Sequence, residues 1–177
     1  KNPDYFAFHL FEGQLHRELG NTSMASRAYE RSNRLLPTAE AQSALGLMAL
    51  NAGNEERAFD YLSSASQFTH TEAGREARRA LVGLQLERNP SRLLPAVTAV
   101  SPDGQLVVQV ANRSGVPIRS VVVAVEGAGG NTERLASRQP IRPGERLQLV
   151  SSLKPYPVND SGGVAGFARV VEAVPAE

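Results

Sequence analysis

The chain has 177 residues, with 19 Lys+Arg against 18 Asp+Glu, 41% hydrophobic residues, and neither Cys nor Trp. That length suits one domain or two small ones, and the lack of Cys excludes a disulfide scaffold, thiolate zinc sites and thiol nucleophiles without fixing a compartment. Balanced charge leaves no electrostatic footprint for nucleic acid, and no apolar run approaches the roughly 20 residues of a membrane-spanning helix, so neither a nucleic-acid partner nor a transmembrane segment is expected. The sequence opens at Lys1 with neither an initiator Met nor an apolar signal region, which points to a segment of a larger protein with any targeting sequence upstream.

In chain order, Asn2-Pro3-Asp4 reads as an N-cap, a Pro in the first helical position and an early acid. Phe8, Phe11, Leu15 and Leu19 then mark a helix to about residue 19. Gly20-Asn21 stops it, and a second helix with Met24, Ala25, Ala28, Tyr29 and Leu35 runs to Pro37. A third carries Ala41, Ala44, Leu45, Met48 and Ala49 and ends at Gly53-Asn54. Ala58, Phe59, Leu62 and Ala65 define a fourth, and Thr71 to Glu87 fits a fifth.

Composition changes near residue 95: of seventeen valines only Val82 precedes that point, so good helix formers give way to β-branched residues, Gly and Pro. Pro90 and Pro95 mark the junction between an α-helical domain, 1–92, and a strand domain, 96–177. Gln105 to Ala111 and Ser120 to Glu126 alternate with period two, with a turn at Asn112-Arg113-Ser114-Gly115. Leu147, Leu149 and Ala165 to Val174 supply further strands, while Gly127 to Gly130, Arg142-Pro143-Gly144 and Pro155 to Gly163 punctuate them. The fold expected is α+β multidomain: about five helices, then an antiparallel immunoglobulin-like β-sandwich.

The helical half contains an internal repeat. Gly13 recurs as Gly46, Gly20 as Gly53, Asn21 as Asn54 and Ala25 as Ala58, all at one constant interval. A mid-helix Gly costs about 1 kcal/mol against Ala, which makes sense where a second helix approaches the backbone. Gly-Asn serves a tight turn in which Gly takes positive φ and Asn caps the next helix. On these residues the segment resembles the tetratricopeptide repeat, a helix-turn-helix unit with a period of about 34 residues. Gly13, Gly20, Ala25, Tyr29 and Pro37 stand at its small, turn, small, aromatic and terminating positions. The second unit matches with Leu45, Gly46, Gly53, Ala58 and Ala65, but has Leu62 for the aromatic and His70 for the closing Pro. The fifth helix, with Leu81, Val82, Gly83, Leu84 and Leu86, looks like the first helix of a third unit that caps the stack. The resemblance covers about 85 residues, two units and a half. It implies that the first helix of each unit lines a peptide-binding groove, picking out Leu10, Gln14 and Arg17, then Glu40, Ser43, Leu47 and Asn51. A groove of this length implies micromolar or weaker binding of an extended peptide.

Catalytic patterns are missing. His9, His16 and His70 are the only histidines; His9 and His16 lie two helical turns apart, roughly 10 Å, too far to share an ion without a third element. No HExxH occurs, so no metal site and no cofactor are expected. Gly-x-Ser-x-Gly is absent, and no histidine follows His70 in the strand half to serve Ser151, Ser152 and Ser161, which leaves only the helical domain to supply one. Gly127, Gly129 and Gly130 lead into neither a helix nor Lys-Ser/Thr, so a hairpin is expected rather than a phosphate loop. Arg75, Arg78, Arg79, Arg88 and Arg92 read as a solvated face paired with Glu72, Glu76 and Glu87, with a carboxylate- or phosphate-binding patch as the rival. Tyr5, Phe6, Phe8 and Phe11 cover more than one face of the first helix, either packed internally or docked on a partner, a second copy of the chain included.

The layout from Asn2-Pro3-Asp4-Tyr5-Phe6-Ala7-Phe8-His9-Leu10 into repeats and strands is similar to the non-catalytic C-terminal tail of bacterial envelope zinc metallopeptidases of the HExxH class. That resemblance implies a substrate- or partner-recognition module in the periplasm or cell envelope, serving protein quality control, with catalysis upstream. The rival reading is a free-standing envelope scaffold or assembly protein, such as a lipoprotein, whose sandwich binds another envelope component or a glycan.

Overall fold

The computed structural model describes residues 5–157 and 165–176, so the Asn2-Pro3-Asp4 cap and Ser161 lie outside the described residues. Among the described residues six helices precede six strands in two antiparallel three-stranded sheets, an α+β fold. The chain divides into two compact units, Lys1–Leu84 and Gln85–Glu177.

In the first unit, helices α1 (Phe6–Glu18), α3 (Ala39–Asn51) and α5 (Glu72–Arg88, whose end passes into the second unit) begin at the interval of the sequence repeat. So do α2 (Thr22–Leu35) and α4 (Glu55–Ala65). The turns repeat bond for bond. Gly20 and Gly53 both take φ +73°, a left-handed conformation that Gly adopts without a Cβ clash. The next residue then closes a six-residue ring at the helix end: Asn21 N–H donates to the His16 carbonyl at 2.8 Å, and Asn54 N–H to that of Ala49 at 2.9 Å.

Each hairpin closes on a glycine. A Cβ added at Gly13 would stand 2.7 Å from Tyr29 Cδ1 and Cε1, and one at Gly46 would stand 2.7 Å from Leu62 Cγ. Tyr29 and Leu62 are themselves one repeat apart, so leucine does in the second hairpin what the aromatic does in the first. Ala25 and Ala58 are fully buried where the helices cross. In α5 the equivalent position holds the exposed Arg79, where a helix could not sit as close as Tyr29 does to Gly13. Tyr29, Ala25, Ala44 and Leu45 form one buried cluster; Ala49, Ala58, Leu62, Ala65, Ala77 and Leu84 form another.

Capping differs from expectation. Asn54 Oδ1 accepts from Arg57 N–H at 3.1 Å, but the Asn21 side chain makes no capping bond. Thr38 and Thr71, also one repeat apart, cap α3 and α5 instead: their hydroxyls accept from Ala41 N–H at 3.2 Å and Gly74 N–H at 3.0 Å.

The second unit holds a short helix α6 (Pro90–Leu93) and strands β1 (Ala96–Val100), β2 (Leu106–Ala111), β3 (Ile118–Glu126), β4 (Thr132–Ser137), β5 (Arg146–Val150) and β6 (Phe167–Pro175). The unit starts earlier than the composition break because residues 85–94 belong with the strands: Leu94 is fully buried, and the Ser91 hydroxyl donates to the Val170 carbonyl at 3.1 Å. Strand orders are β1-β2-β5 and β4-β3-β6. Consequently the Asn112–Gly115 turn does not join paired neighbours; it carries the chain from one sheet to the other. Leu106, Val108 and Val110 of the first sheet and Val121, Val123, Val125 and Val170 of the second are buried. The Thr98 hydroxyl donates to the Gly166 carbonyl at 2.6 Å, beside the second sheet's β6.

Candidate functional site

In α1, the turn after Gly13 presents Gln14 and Arg17; in α3, the turns after Thr38 present Glu40 and Ser43; and the start of α5 presents Glu72, Ala73 and Glu76. With Tyr29 and Ala44 these line a groove of about 300 Å³ within the first unit. The repeat is what aligns them, because it sets the first helices of successive hairpins side by side in one register. The groove brings together four of the seven residues that the sequence nominates: Gln14, Arg17, Glu40 and Ser43. Leu10 instead packs against the Ala25–Tyr29–Ala44–Leu45 cluster, Leu47 against the Ala58–Leu62 cluster, and exposed Asn51 ends α3 away from the groove. Both leucines are apolar residues at a spacing that serves core and groove equally, so periodicity alone does not separate the two faces.

The groove wall is acidic on one side. Glu40, Glu72 and Glu76 face the single base Arg17 among its lining residues. The Ser43 hydroxyl, 2% exposed, donates to Glu76 Oε2 at 3.5 Å. Tyr29 is 1% exposed and its hydroxyl has no hydrogen-bond partner among the described residues. Burial holds that hydroxyl above the usual phenol range; the Arg17 charge acts against this and the Glu18 charge with it. The group is therefore a neutral donor and acceptor at pH 7. The sequence alone assigns none of Tyr29, Glu72, Ala73 and Glu76 to the groove. The aromatic position of the repeat is the available signal for Tyr29, and the placing of Glu76 one repeat after Ser43 is the signal for α5.

Phe8, Phe11, Leu15 and Leu19 form an exposed stripe along α1, with Phe11 69% exposed. Tyr5 packs edge-on against Phe8 with ring centroids 5.5 Å apart and against Phe6 at 5.1 Å, so the cluster is in part self-packed. Its register is informative. One repeat on from Phe8, Phe11 and Leu15 stand Ala41, Ala44 and Met48, and of these Ala44 and Met48 pack with Ala25 and Tyr29 of α2. The stripe thus occupies the face on which, inside the repeat, the preceding hairpin lies.

Other nominated residues have structural partners. His9 Nδ1 lies 3.2 Å from Glu12 Oε2, and among the described residues no group of three or more His, Asp or Glu is placed to hold a metal ion. The Ser151 and Ser152 hydroxyls donate to Glu133 at 2.6 and 3.0 Å, and Ser152 N–H donates to it at 3.0 Å. The Gly127 amide donates to the Asn131 carbonyl within the β3–β4 hairpin connection, and the Ala128 amide donates to the Lys154 carbonyl in the segment after β5. Arg75 donates to the His70 carbonyl at 3.3 Å rather than joining a file of ion pairs with Glu72 and Glu76. Arg134 and Arg142 make long ion pairs with Glu172 and Glu145 at 3.8 and 3.9 Å. No helix among the described residues is long and apolar enough to cross a membrane. Comparison with family models, with curated proteins and with solved structures found no significant match.

Proposed function

We propose that the chain is a non-catalytic protein-interaction module whose helical unit, a tetratricopeptide-like pair of hairpins capped by α5, binds an extended segment of another protein. The observation that carries this reading is the groove itself, where residues from three successive first helices meet beside Tyr29, whose buried hydroxyl has no hydrogen-bond partner among the described residues. Such a surface offers hydrogen-bond donors and acceptors at the helical repeat spacing. We read the strand unit as an immunoglobulin-like sandwich that supplies a second surface. On the resemblance to envelope metallopeptidase tails, the module is a recognition element of a bacterial envelope protease. The exposed α1 stripe, in the register of an internal hairpin interface, is proposed as the face through which two copies pair.

A pull-down from a bacterial envelope extract, comparing the native chain with Arg17→Glu/Glu40→Lys, tests the groove. Loss of one captured protein in the variant, with capture retained by an Asp60→Lys control on α4, supports the reading. Equal capture by all three removes the groove as the recognition surface.

A further inference from the structure

Within the proposed groove the chemistry of the ligand is legible, and this step rests on the peptide-binding reading. Glu72 and Glu76 lie one turn apart on α5, Glu40 faces them from α3, and Arg17 is the only base among the lining residues. Neither Glu40 nor Glu72 has an ion-pair partner among the described residues. Three carboxylates set against one guanidinium repel each other and lower the local potential, a field that an added cation relieves.

The second observation is independent of charge. Tyr29, almost wholly buried, presses the Cδ1 and Cε1 edge of its ring on Gly13 and lines the groove beside Arg17, and its hydroxyl has no hydrogen-bond partner among the described residues. Tyrosine hydroxyls in protein interiors are ordinarily satisfied, because an orphaned one costs about 1–3 kcal/mol of desolvation. A phenylalanine would fill the same space against Gly13 without that cost. The oxygen is explained if a ligand supplies its partner.

We propose that the groove accepts a segment of extended chain carrying a cationic side chain, lysine or arginine. The cation sits among Glu40, Glu72 and Glu76, and the main chain of the ligand is held by Tyr29, Gln14 and Arg17. The Tyr29 hydroxyl donates to a ligand carbonyl, Arg17 does the same at the neighbouring peptide unit, and the carboxylates accept from the ammonium or guanidinium. Charge-assisted hydrogen bonds of this kind are about twice as strong as neutral ones, so the side chain sets selectivity while the main chain sets register.

Fluorescence polarisation with three labelled Gly-Ser peptides of equal length, carrying arginine, its neutral isostere citrulline, or glutamate, tests this on the intact chain. The arginine peptide is expected to bind about tenfold more tightly than the citrulline peptide, with the difference shrinking as salt rises. Glu72→Gln/Glu76→Gln abolishes that preference, Tyr29→Phe weakens the arginine and citrulline peptides alike by about threefold, and Asp60→Asn on α4 changes neither. Equal binding of the arginine and citrulline peptides, or an effect of Asp60→Asn as large as that of the paired glutamines, overturns the cation proposal. Preference for the glutamate peptide, lost on Arg17→Glu, overturns it while leaving the peptide-binding reading intact. Binding of none of the three overturns both.

Discussion

Alanine at Gly13 or Gly46 would put a methyl group 2.7 Å from the Tyr29 ring or from Leu62 Cγ, and both neighbours are buried with no room to retreat. The gain in helix propensity, about 1 kcal/mol, is smaller than the roughly 1–3 kcal/mol of overpacking, so either substitution lowers the stability of the helical unit. Gly83, also helical, has nothing within 4 Å of its added Cβ, and Gly83→Ala is expected to stabilise by about 0.5–1 kcal/mol. Urea unfolding followed by far-ultraviolet circular dichroism separates the two signs. In the strand unit, Asn112 is 1% exposed and its side chain satisfies four partners: its amide donates to the Val116 and Ile141 carbonyls at 2.8 Å each, and its oxygen accepts from the Ser114 amide and hydroxyl. Asn112→Ala orphans those groups at the point where the chain changes sheets, and about 2–4 kcal/mol of stability is expected to be lost in the same assay. Glu133 shows a pH-dependent counterpart. Its hydrogen bond from Ser151, with those from Ser152, holds its carboxyl below the ordinary range against the opposing effect of desolvation. A lowered folded pKa adds stability that is present above the unfolded value, near 4.3, and lost as pH falls through the folded one. Thermal unfolding of the native chain and Glu133→Gln should therefore differ by under about 1 kcal/mol at pH 7 and converge once pH falls below the lowered folded value, solvent screening keeping the difference small.

At the scale of elements, the repeat was legible because each of its matches has a steric cause. Gly13 and Gly46 admit a second helix, Gly20 and Gly53 turn the chain, and Ala25 and Ala58 keep the crossing tight. The Thr38 and Thr71 caps were as periodic, yet a threonine before a helix carries less signal than a glycine, and neither stood out. Valine-rich β2 and β3 were legible for the same reason that they are buried, whereas β1 and β4 were not picked out. Both are edge strands, and β4, Thr-Glu-Arg-Leu-Ala-Ser, alternates between exposed and half-buried positions without a strong apolar face. Pairing was less legible than strand position, since nothing in Asn112–Gly115 distinguishes a hairpin from a crossing between sheets. The α1 stripe is the element that leaves apolar surface uncovered. If two copies pair through Phe8, Phe11, Leu15 and Leu19, sedimentation velocity gives a dimer for the native chain and a monomer for Phe8→Glu. A monomer in both removes the pairing.

For the whole molecule, the division into helices then strands follows from one change in composition, whereas the candidate surface follows from spacing. Positions one repeat apart share a face, so the register that gave Glu40 and Ser43 also leads to Glu76 once α5 is counted as a third first helix. The same arithmetic picks Leu10 and Leu47, which pack against the buried clusters, because a side chain near a groove rim and one against the core differ by less than a turn. The Tyr29 hydroxyl was beyond any sequence pattern: the aromatic position predicts a ring on Gly13, and only packing reveals that its oxygen lacks a partner. The α1–α3–α5 groove is proposed as the place where this chain holds another protein. Its most direct test is photo-crosslinking from benzoylphenylalanine placed at position 40, in envelope extract, with and without Ala73→Trp to fill the groove. A discrete adduct that disappears with the tryptophan is expected, while thermal unfolding of the two chains coincides. An adduct of unchanged yield in the filled groove would contradict it.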